Sequence, residues 1–208
     1  MVDFNERRGN MNTTINSDIR EIKKYALENK VPIMVDEGID FLTTFIIKKQ
    51  IKNILEIGTA IGYSAIMMAL ANPNVKITTI ERDKDRYLEA LKNIKKFDLE
   101  DRITLIFNDA LEVNIEGEFD LIFIDAAKGQ NINFFEKFEL NLKKDGYIIT
   151  DNMNFHGLID KTPEEITSRN LRALVRKIKE YHEYLKNNQN YNVEFLNIGD
   201  GIAIAERK

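Results

Sequence analysis

Three oxygen-bearing side chains follow two apolar segments in the second half of the chain. Asp125 ends the segment Phe119 to Asp125, and Asp151 with Asn152 follows the segment that starts at Gly146. Neighbouring strands of a sheet lie about 4.8 Å apart, so these side chains can converge at one edge. Two carboxylates buried together are costly unless a cation neutralises them. An all-oxygen set of this kind predicts a site for Mg²⁺, with Mn²⁺ also tolerated.

A lysine lies close to the first of these carboxylates, since Lys128 comes three residues after Asp125. A metal that chelates two neighbouring acceptor oxygens would acidify the hydroxyl and fix its direction. Lys128 could then take the proton if the metal's charge depresses its own pKa. In the structural alternative, Asp125 caps a helix, the Asp151 segment starts a loop, and Lys128 lies on the surface. The histidines say less: His156 is as readily a loop residue, and His182 has no visible partner.

A glycine turn lies between an apolar strand and a helix at Glu56 to Ser64. In this context the backbone can approach a ligand at the helix N-terminus. Ala60 and Tyr63 stand where the dinucleotide fingerprint has its second and third glycines, which disfavours a pyrophosphate. The turn therefore predicts a ligand without phosphates.

Polar residues also end the next two predicted strands. Glu81 can accept hydrogen bonds from both hydroxyls of a ribose, and Asn108-Asp109-Ala110 could offer a carboxylate and a backbone N–H to an adenine edge. Each residue alone fits a helix cap or a solvated position equally well. The carboxyl ends of consecutive strands face one crevice in a doubly wound sheet, so together they predict a ligand site.

The surrounding pattern predicts an α/β fold with a doubly wound, Rossmann-like sheet. Short apolar strands separated by helices are typical of a parallel sheet covered on both faces. The last two strands are joined so closely, across Gly199-Asp200-Gly201, that they must be antiparallel neighbours. The predicted helices are Thr14 to about Asn29, Asp36–Lys49, Ser64–Leu70, Arg86–Phe97 and Thr162–Leu185; the seven predicted strands are Asn53–Ile57, Lys76–Ile80, Ile103–Phe107, Phe119–Asp125, Gly146–Asp151, Asn192–Leu196 and Ile202–Glu206.

Length and composition favour one soluble domain spanning residues 1–208, with N-terminal helices at about 14–49. The 208 residues include 43% hydrophobic and 31% charged residues, and no apolar run reaches the roughly 18 residues that span a bilayer. Cysteine is absent and the first residues are charged rather than apolar, so we expect a cytoplasmic location. The net charge of −4 argues against a protein that coats nucleic acid, so any RNA contact must rest on a local patch.

Four segments together resemble the metal-dependent class I O-methyltransferases, which include the catechol and caffeoyl-CoA enzymes: Leu55–Ala65, Phe123–Lys128, Thr150–Asn152 and Ile198–Ile202. The likeness runs from about Met34 to the C-terminus. It implies S-adenosylmethionine as methyl donor, Mg²⁺ bound by Asp125, Asp151 and Asn152, Lys128 as the base, and a homodimer. It also implies the residues that contact the donor: Met34, Glu56, Gly58, Thr59, Gly62, Tyr63, Ser64, Glu81, Asp109, Ala110 and Asp125.

Two further segments resemble one branch, the bacterial tRNA 5-hydroxyuridine methyltransferases. They are Asp125–Gln130 followed by Phe134-Phe135, and Arg169–Ile178. The resemblance implies conversion of 5-hydroxyuridine at the wobble position to 5-methoxyuridine, and the adjacent O5 and O4 of that base are a pair that a metal could chelate. The chain also lacks Trp and has Gly129-Gln130-Asn131 where the small-molecule branch has an aromatic substrate contact.

Three functions remain open at this point. Arg169, Arg172 and Arg176 recur on one face of the last predicted helix and could meet tRNA phosphates, although a solvated basic face has the same pattern. A small-molecule enzyme would instead methylate catechols or caffeoyl-type thioesters. A non-catalytic nucleotide-binding module would keep the glycine turn but would have no need for the predicted metal ligands.

Overall fold

A computed structural model describes the backbone of residues 4–155 and 157–208, and side chains from residue 15 onward within those ranges. Its sheet contains seven strands, whose apolar runs are the ones visible in the sequence. They are β1 (Asn53–Ile57), β2 (Lys76–Glu81), β3 (Ile103–Phe107), β4 (Phe119–Ile124), β5 (Leu142–Asp151), β6 (Tyr191–Leu196) and β7 (Ile202–Arg207).

The strands lie in the order β3-β2-β1-β4-β5-β7-β6. The first five are parallel to their neighbours, whereas β7 is antiparallel to both β5 and β6. This arrangement confirms the predicted doubly wound sheet with a C-terminal antiparallel hairpin. In the β4–β5 pair Ile124 lies opposite Thr150. Asp125, which directly follows β4, and Asp151, the last residue of β5, are therefore neighbours at the same edge of the sheet.

Six helices cover the two faces of the sheet in the described ranges: α1 (Phe4–Glu28), α2 (Asp36–Lys48), α3 (Tyr63–Ala71), α4 (Lys84–Lys96), α5 (Asn131–Phe138) and α6 (Arg169–Asn187). In one core cluster, the four helices α1, α2, α3 and α4 pack against strand residues such as Ile54, Leu121 and Phe123. In the other cluster, α5 and α6 pack against Leu55 and Ile122, the strand residues that directly follow Ile54 and Leu121. Successive strand residues point to opposite faces, so each central strand contributes to both cores. Within the described ranges, the helices are too short or too polar to cross a bilayer.

The last helix differs from its prediction. The sequence pattern predicted one helix from Thr162 to Leu185, but α6 begins at Arg169. Thr162 instead caps a short 3₁₀ turn in which Pro163 occupies the first position and Glu165 completes a reciprocal capping box. Ser168 then accepts a hydrogen bond from the N–H of Leu171 and starts the helix afresh. The predicted start was wrong because Thr162 and Ser168 both carry cap signals, and the cap at Thr162 starts only the short 3₁₀ turn.

Two other helices, α1 and α5, also differ from the sequence-based prediction. Helix α1 begins at Phe4 rather than at Thr14, because the residues before Ile15 are mostly polar and lack apolar periodicity. Helix α5, which packs Phe135 and Phe138 into the core, was not predicted. Its eight residues are too few to show a helical repeat.

Candidate active site

A cleft of about 1200 Å³ opens at the carboxyl ends of the parallel strands. In a doubly wound sheet this edge is where ligands bind, because neighbouring strands are followed by helices on opposite faces. Nine residues predicted from the sequence line the cleft: Met34, Gly58, Glu81, Asp109, Ala110, Asp125, Lys128, Asp151 and Asn152. The fold thus brings together the predicted metal ligands, the predicted base and part of the predicted donor site.

The glycine turn after β1 approaches β4 closely. Gly58 has φ of +100°, and a Cβ built there would lie 2.3 Å from the carbonyl oxygen of Asp125. Its N–H donates to Ile80 O at 3.0 Å, which ties the turn to β2 as well. Any larger residue would push the turn away from Asp125, so glycine is required both by the backbone conformation and by space.

Five predicted donor residues are buried behind the cleft lining: Glu56, Thr59, Gly62, Tyr63 and Ser64. Glu56 is fully buried, where its carboxylate accepts hydrogen bonds from the hydroxyls of Ser64, at 2.5 Å, and Thr79. Thr79 also hydrogen-bonds the hydroxyl of Thr59. Burial raises the pKa of Glu56 to about 7, and these hydroxyl donors only partly offset the shift. The network supports the floor of the glycine turn.

Glu81 and Asp109 lie side by side at the ends of β2 and β3. Glu81 Oε2 accepts from the N–H of Ala60 at 2.7 Å, and Oε1 accepts from the N–H groups of Arg82 and Asp83. Asp109 accepts from the N–H of Leu111, and Arg82 lies 3.3 Å away. These contacts, the Leu111 bond first, hold the pKa of Asp109 below its ordinary value. Both residues line the cleft, and the backbone hydrogen bonds that they accept hold their carboxyl groups in position for a ligand.

Asp125, Lys128 and Asp151 form the electrostatic centre of the cleft. Lys128 Nζ lies 2.6 Å from Asp125 Oδ1, so the lysine neutralises one of the two carboxylates. Asp151 is 2% exposed. Burial, and then repulsion by Asp125, raise the pKa of Asp151 well above its ordinary value. A second positive charge at this point would relieve that repulsion.

Asn152 completes the predicted ligand set from a left-handed backbone conformation, with φ of +61°. Its Nδ2 donates to Asp200 Oδ2 at 3.0 Å. The described residues hold no cluster of three or more His, Cys, Asp or Glu side chains arranged for a metal. Asp125, Asp151 and Asn152 instead offer two carboxylates and an amide oxygen, and hard divalent cations prefer such all-oxygen ligands. The donor chemistry and the crowded negative charge fit a divalent ion.

The C-terminal part of α1 and the segment that joins it to α2 form one rim of the cleft and bring residues that sequence reasoning had missed. Lys23 Nζ lies 2.5 Å from Asp36 Oδ1 and 5.7 Å from the centre of the Tyr63 ring. Arg82, Arg86 and Phe155 also line the cleft. These residues carry no local motif, because only the packing of distant segments brings them to the site.

The three arginines of α6 lie outside the cleft lining. Arg172 donates to the carbonyl oxygens of Ile166 and Thr167, at 2.7 and 3.4 Å, and so holds the segment that precedes its own helix. Arg176 lies 3.5 Å from Glu180, while Arg169 is exposed at the first turn. His182 has a structural partner, since its Nε2 lies 3.0 Å from Met153 O and its ring stacks on Phe195. His156 lies outside the described residues.

Known proteins share both this sequence and this architecture. The model of the O-methyltransferase family matches residues 9–208. The chain belongs to this family. A caffeoyl-CoA O-methyltransferase of Populus kitakamiensis is 31% identical over 193 residues, which cover 89% of this chain and 82% of the relative.

Solved structures of O-methyltransferases give the same result. A candidate caffeoyl-CoA O-methyltransferase from Staphylococcus aureus is 37% identical with a TM-score of 0.87, covering 99% of this chain and 100% of that one. An O-methyltransferase from Bacillus cereus in complex with SAH is 26% identical with a TM-score of 0.79, covering 92% and 91% of the two chains. The prediction of an S-adenosylmethionine-dependent O-methyltransferase is confirmed. The tRNA branch, the metal and the homodimer stay predictions.

Proposed function

We propose that this O-methyltransferase methylates one of two adjacent oxygens of its acceptor, with a divalent cation held by Asp125, Asp151 and Asn152. The observation that carries the proposal is the pairing of Asp125 and Asp151 at neighbouring strand tips, inside the cleft that the glycine turn borders. A cleft of about 1200 Å³ has room for a donor and an acceptor together, because single-ligand sites are about 300–1000 Å³.

The chain's own residues divide the work between the two substrates. Glu81 and Asp109 would hold the adenosine part of the donor through their accepting oxygens. When bound, the cation supplies Lewis acidity that polarises the two acceptor oxygens. Lys128 would serve as the base that takes the proton of the acceptor hydroxyl, since its Nζ lies beside Asp125 at the proposed cation site. The oxygen then forms a bond to the methyl carbon as the carbon–sulfur bond breaks, and sulfur keeps the electron pair. Holding the acceptor oxygen, the methyl carbon and the sulfur in line within one cleft would supply most of the rate acceleration.

Two acceptor classes fit this chemistry. The named relatives support a small molecule of the caffeoyl-CoA or catechol type, in which neighbouring oxygens lie on an aromatic ring. The second candidate is 5-hydroxyuridine at the wobble position of tRNA, supported by the motif resemblance and by the exposed Arg169 at the start of α6. Arg172 weakens the second candidate, because backbone carbonyls already occupy its guanidinium.

A panel of acceptors tests the proposal. Purified protein would be incubated with methyl-labelled S-adenosylmethionine, Mg²⁺ and one acceptor at a time: caffeoyl-CoA, catechol, tRNA containing 5-hydroxyuridine, and the same tRNA with uridine. We expect label in at least one of the first three acceptors and none in the uridine tRNA. Label in none of them would overturn the proposed chemistry.

A further inference from the structure

The turn between β6 and β7 docks onto the loop that follows β5. The N–H of Met153 donates to Gly201 O at 2.9 Å, and the N–H of Asn154 donates to Asp200 O at 2.8 Å. A Cβ at Gly201 would lie 2.6 Å from Asn154 N, so the two backbones meet without room for a side chain. This close contact fixes Asp200 beside Asn152, although 48 residues separate them in the chain.

The side chains of these two residues make a directional contact. Asn152 Nδ2 donates to Asp200 Oδ2 at 3.0 Å, and Asp200 is 8% exposed. An amide can present either its NH₂ or its carbonyl oxygen to a neighbour, and here the Asp200 oxygen accepts a hydrogen bond from the NH₂ group. The NH₂ group of Asn152 therefore faces Asp200, and Oδ1 is left at the opposite edge of the amide group.

We infer that Asp200 is a positioning residue, which orients the Asn152 amide so that its carbonyl oxygen faces the cation site. The inference rests on the proposed function, since it assigns a role toward the proposed cation. Only the carbonyl oxygen can ligate a hard cation, because the amide NH₂ has no available lone pair. A reversed amide would direct two N–H donors at the ion and remove one of its three protein ligands.

Binding of Mn²⁺, followed by electron paramagnetic resonance on the full chain without acceptor, tests the inference. Asp200→Ala removes the acceptor and frees the amide to rotate, so we expect Mn²⁺ affinity to fall by about 10–100-fold, as is usual when a partner of a metal ligand is lost. Asp200→Asn can still accept from Asn152 through its carbonyl oxygen, so it should recover most of that loss. Affinity for S-adenosylhomocysteine, measured by calorimetry, should change little in either variant.

The outcomes separate the inference from the proposed function. Unchanged Mn²⁺ affinity in D200A would overturn the inference alone, and so would equal losses in D200A and D200N, because the charge of Asp200 would then matter rather than its hydrogen bond. Failure of the unmodified protein to bind Mn²⁺ would overturn the proposed cation site itself. If D200A does not fold, Asp200→Ser replaces it, since the shorter hydroxyl side chain ends before Asn152 Nδ2.

Discussion

Two carboxylates at neighbouring strand tips set the chemistry at the scale of single residues. Lys128 neutralises Asp125, whereas Asp151 is buried and has a raised pKa because of that burial and because Asp125 lies near. Burial of like charges is tolerated when a ligand later compensates for it. The unfavourable burial of the Asp151 carboxyl group next to Asp125 is therefore consistent with a cation site.

Asp151→Asn removes one charged ligand while it keeps the size of the side chain. We expect Mn²⁺ affinity and methyl transfer each to fall by roughly 100-fold or more, which exceeds the loss usual for a neighbour of a metal ligand. Affinity for S-adenosylhomocysteine should stay within a few-fold of the unmodified protein. Asp101→Asn, at an exposed position, is the matched control and should leave all three quantities unchanged. Full Mn²⁺ binding in D151N would remove Asp151 from the ligand set.

Glu56 makes folding stability depend on pH. Its pKa is raised from 4.5 to about 7 in the folded protein, first by burial and further by the charges of Asp125 and Glu81. The folded state then holds a proton that the unfolded state has released between these two values. The stabilisation is fully present below pH 4.5 and is lost as pH rises through about 7.

Glu56→Gln removes this titration while Ser64 and Thr79 can rotate their hydroxyls to suit an amide. From pH 5 to pH 8 we expect the free energy of unfolding of E56Q, relative to the unmodified protein, to rise by about 2 kcal/mol. Urea titrations at several pH values measure the difference directly, and groups common to both proteins cancel. A difference that does not change with pH would mean that Glu56 is ionised throughout this range.

At the scale of elements, the glycine turn couples β1 to β4. Gly58→Ala introduces a methyl group 2.3 Å from Asp125 O at φ of +100°. We expect it to lower the free energy of unfolding by about 2–4 kcal/mol and to weaken donor binding, because the turn must move. Gly129→Ala is the control, since its Cβ would meet nothing within 4 Å. Equal stability of the two variants in urea would show that the turn adapts without cost.

Helix α6 offers a test that separates the two acceptor candidates. If tRNA is the acceptor, Arg169→Ala should weaken tRNA binding for all sequences alike and reduce the slope of log affinity against log salt by about 1. Lys186→Ala, in the last turn of the same helix, should have a smaller effect. Turnover of a small acceptor should be unchanged in both variants. tRNA binding that is unaffected by R169A would remove this helix from the RNA surface.

The sequence predicted some elements well because their signals are local. The buried strands carry apolar runs bounded by polar or glycine residues, and their bounds agree with the structure to within a few residues. The start of α6 could not be predicted by periodicity, because Thr162 and Ser168 both carry cap signals. Asp125, Asp151 and Asn152 could be predicted as a group, since parallel strands must end at one edge.

At the scale of the whole molecule, the cleft is closed by segments far apart in the chain. The C-terminal part of α1 brings Lys23 to the rim, and the β6–β7 turn brings Asp200 against Asn152. Such contacts leave no periodic signal in the sequence, although the glycines that flank Asp200 indicate a tight turn next to a strand. The sequence could therefore predict the site residues at the strand ends, but the residues at the rim of the cleft could be identified only from the structure.

Methyl transfer with and without a divalent cation tests the cation's role in the reaction most directly. Two matched acceptors would be used, one with adjacent hydroxyls and one in which the neighbouring oxygen is removed. We predict transfer to the first with Mg²⁺ present, loss of that transfer with EDTA and recovery when Mg²⁺ is restored, and little transfer to the second under any condition. Equal transfer to both acceptors with EDTA present would contradict a cation held by Asp125, Asp151 and Asn152.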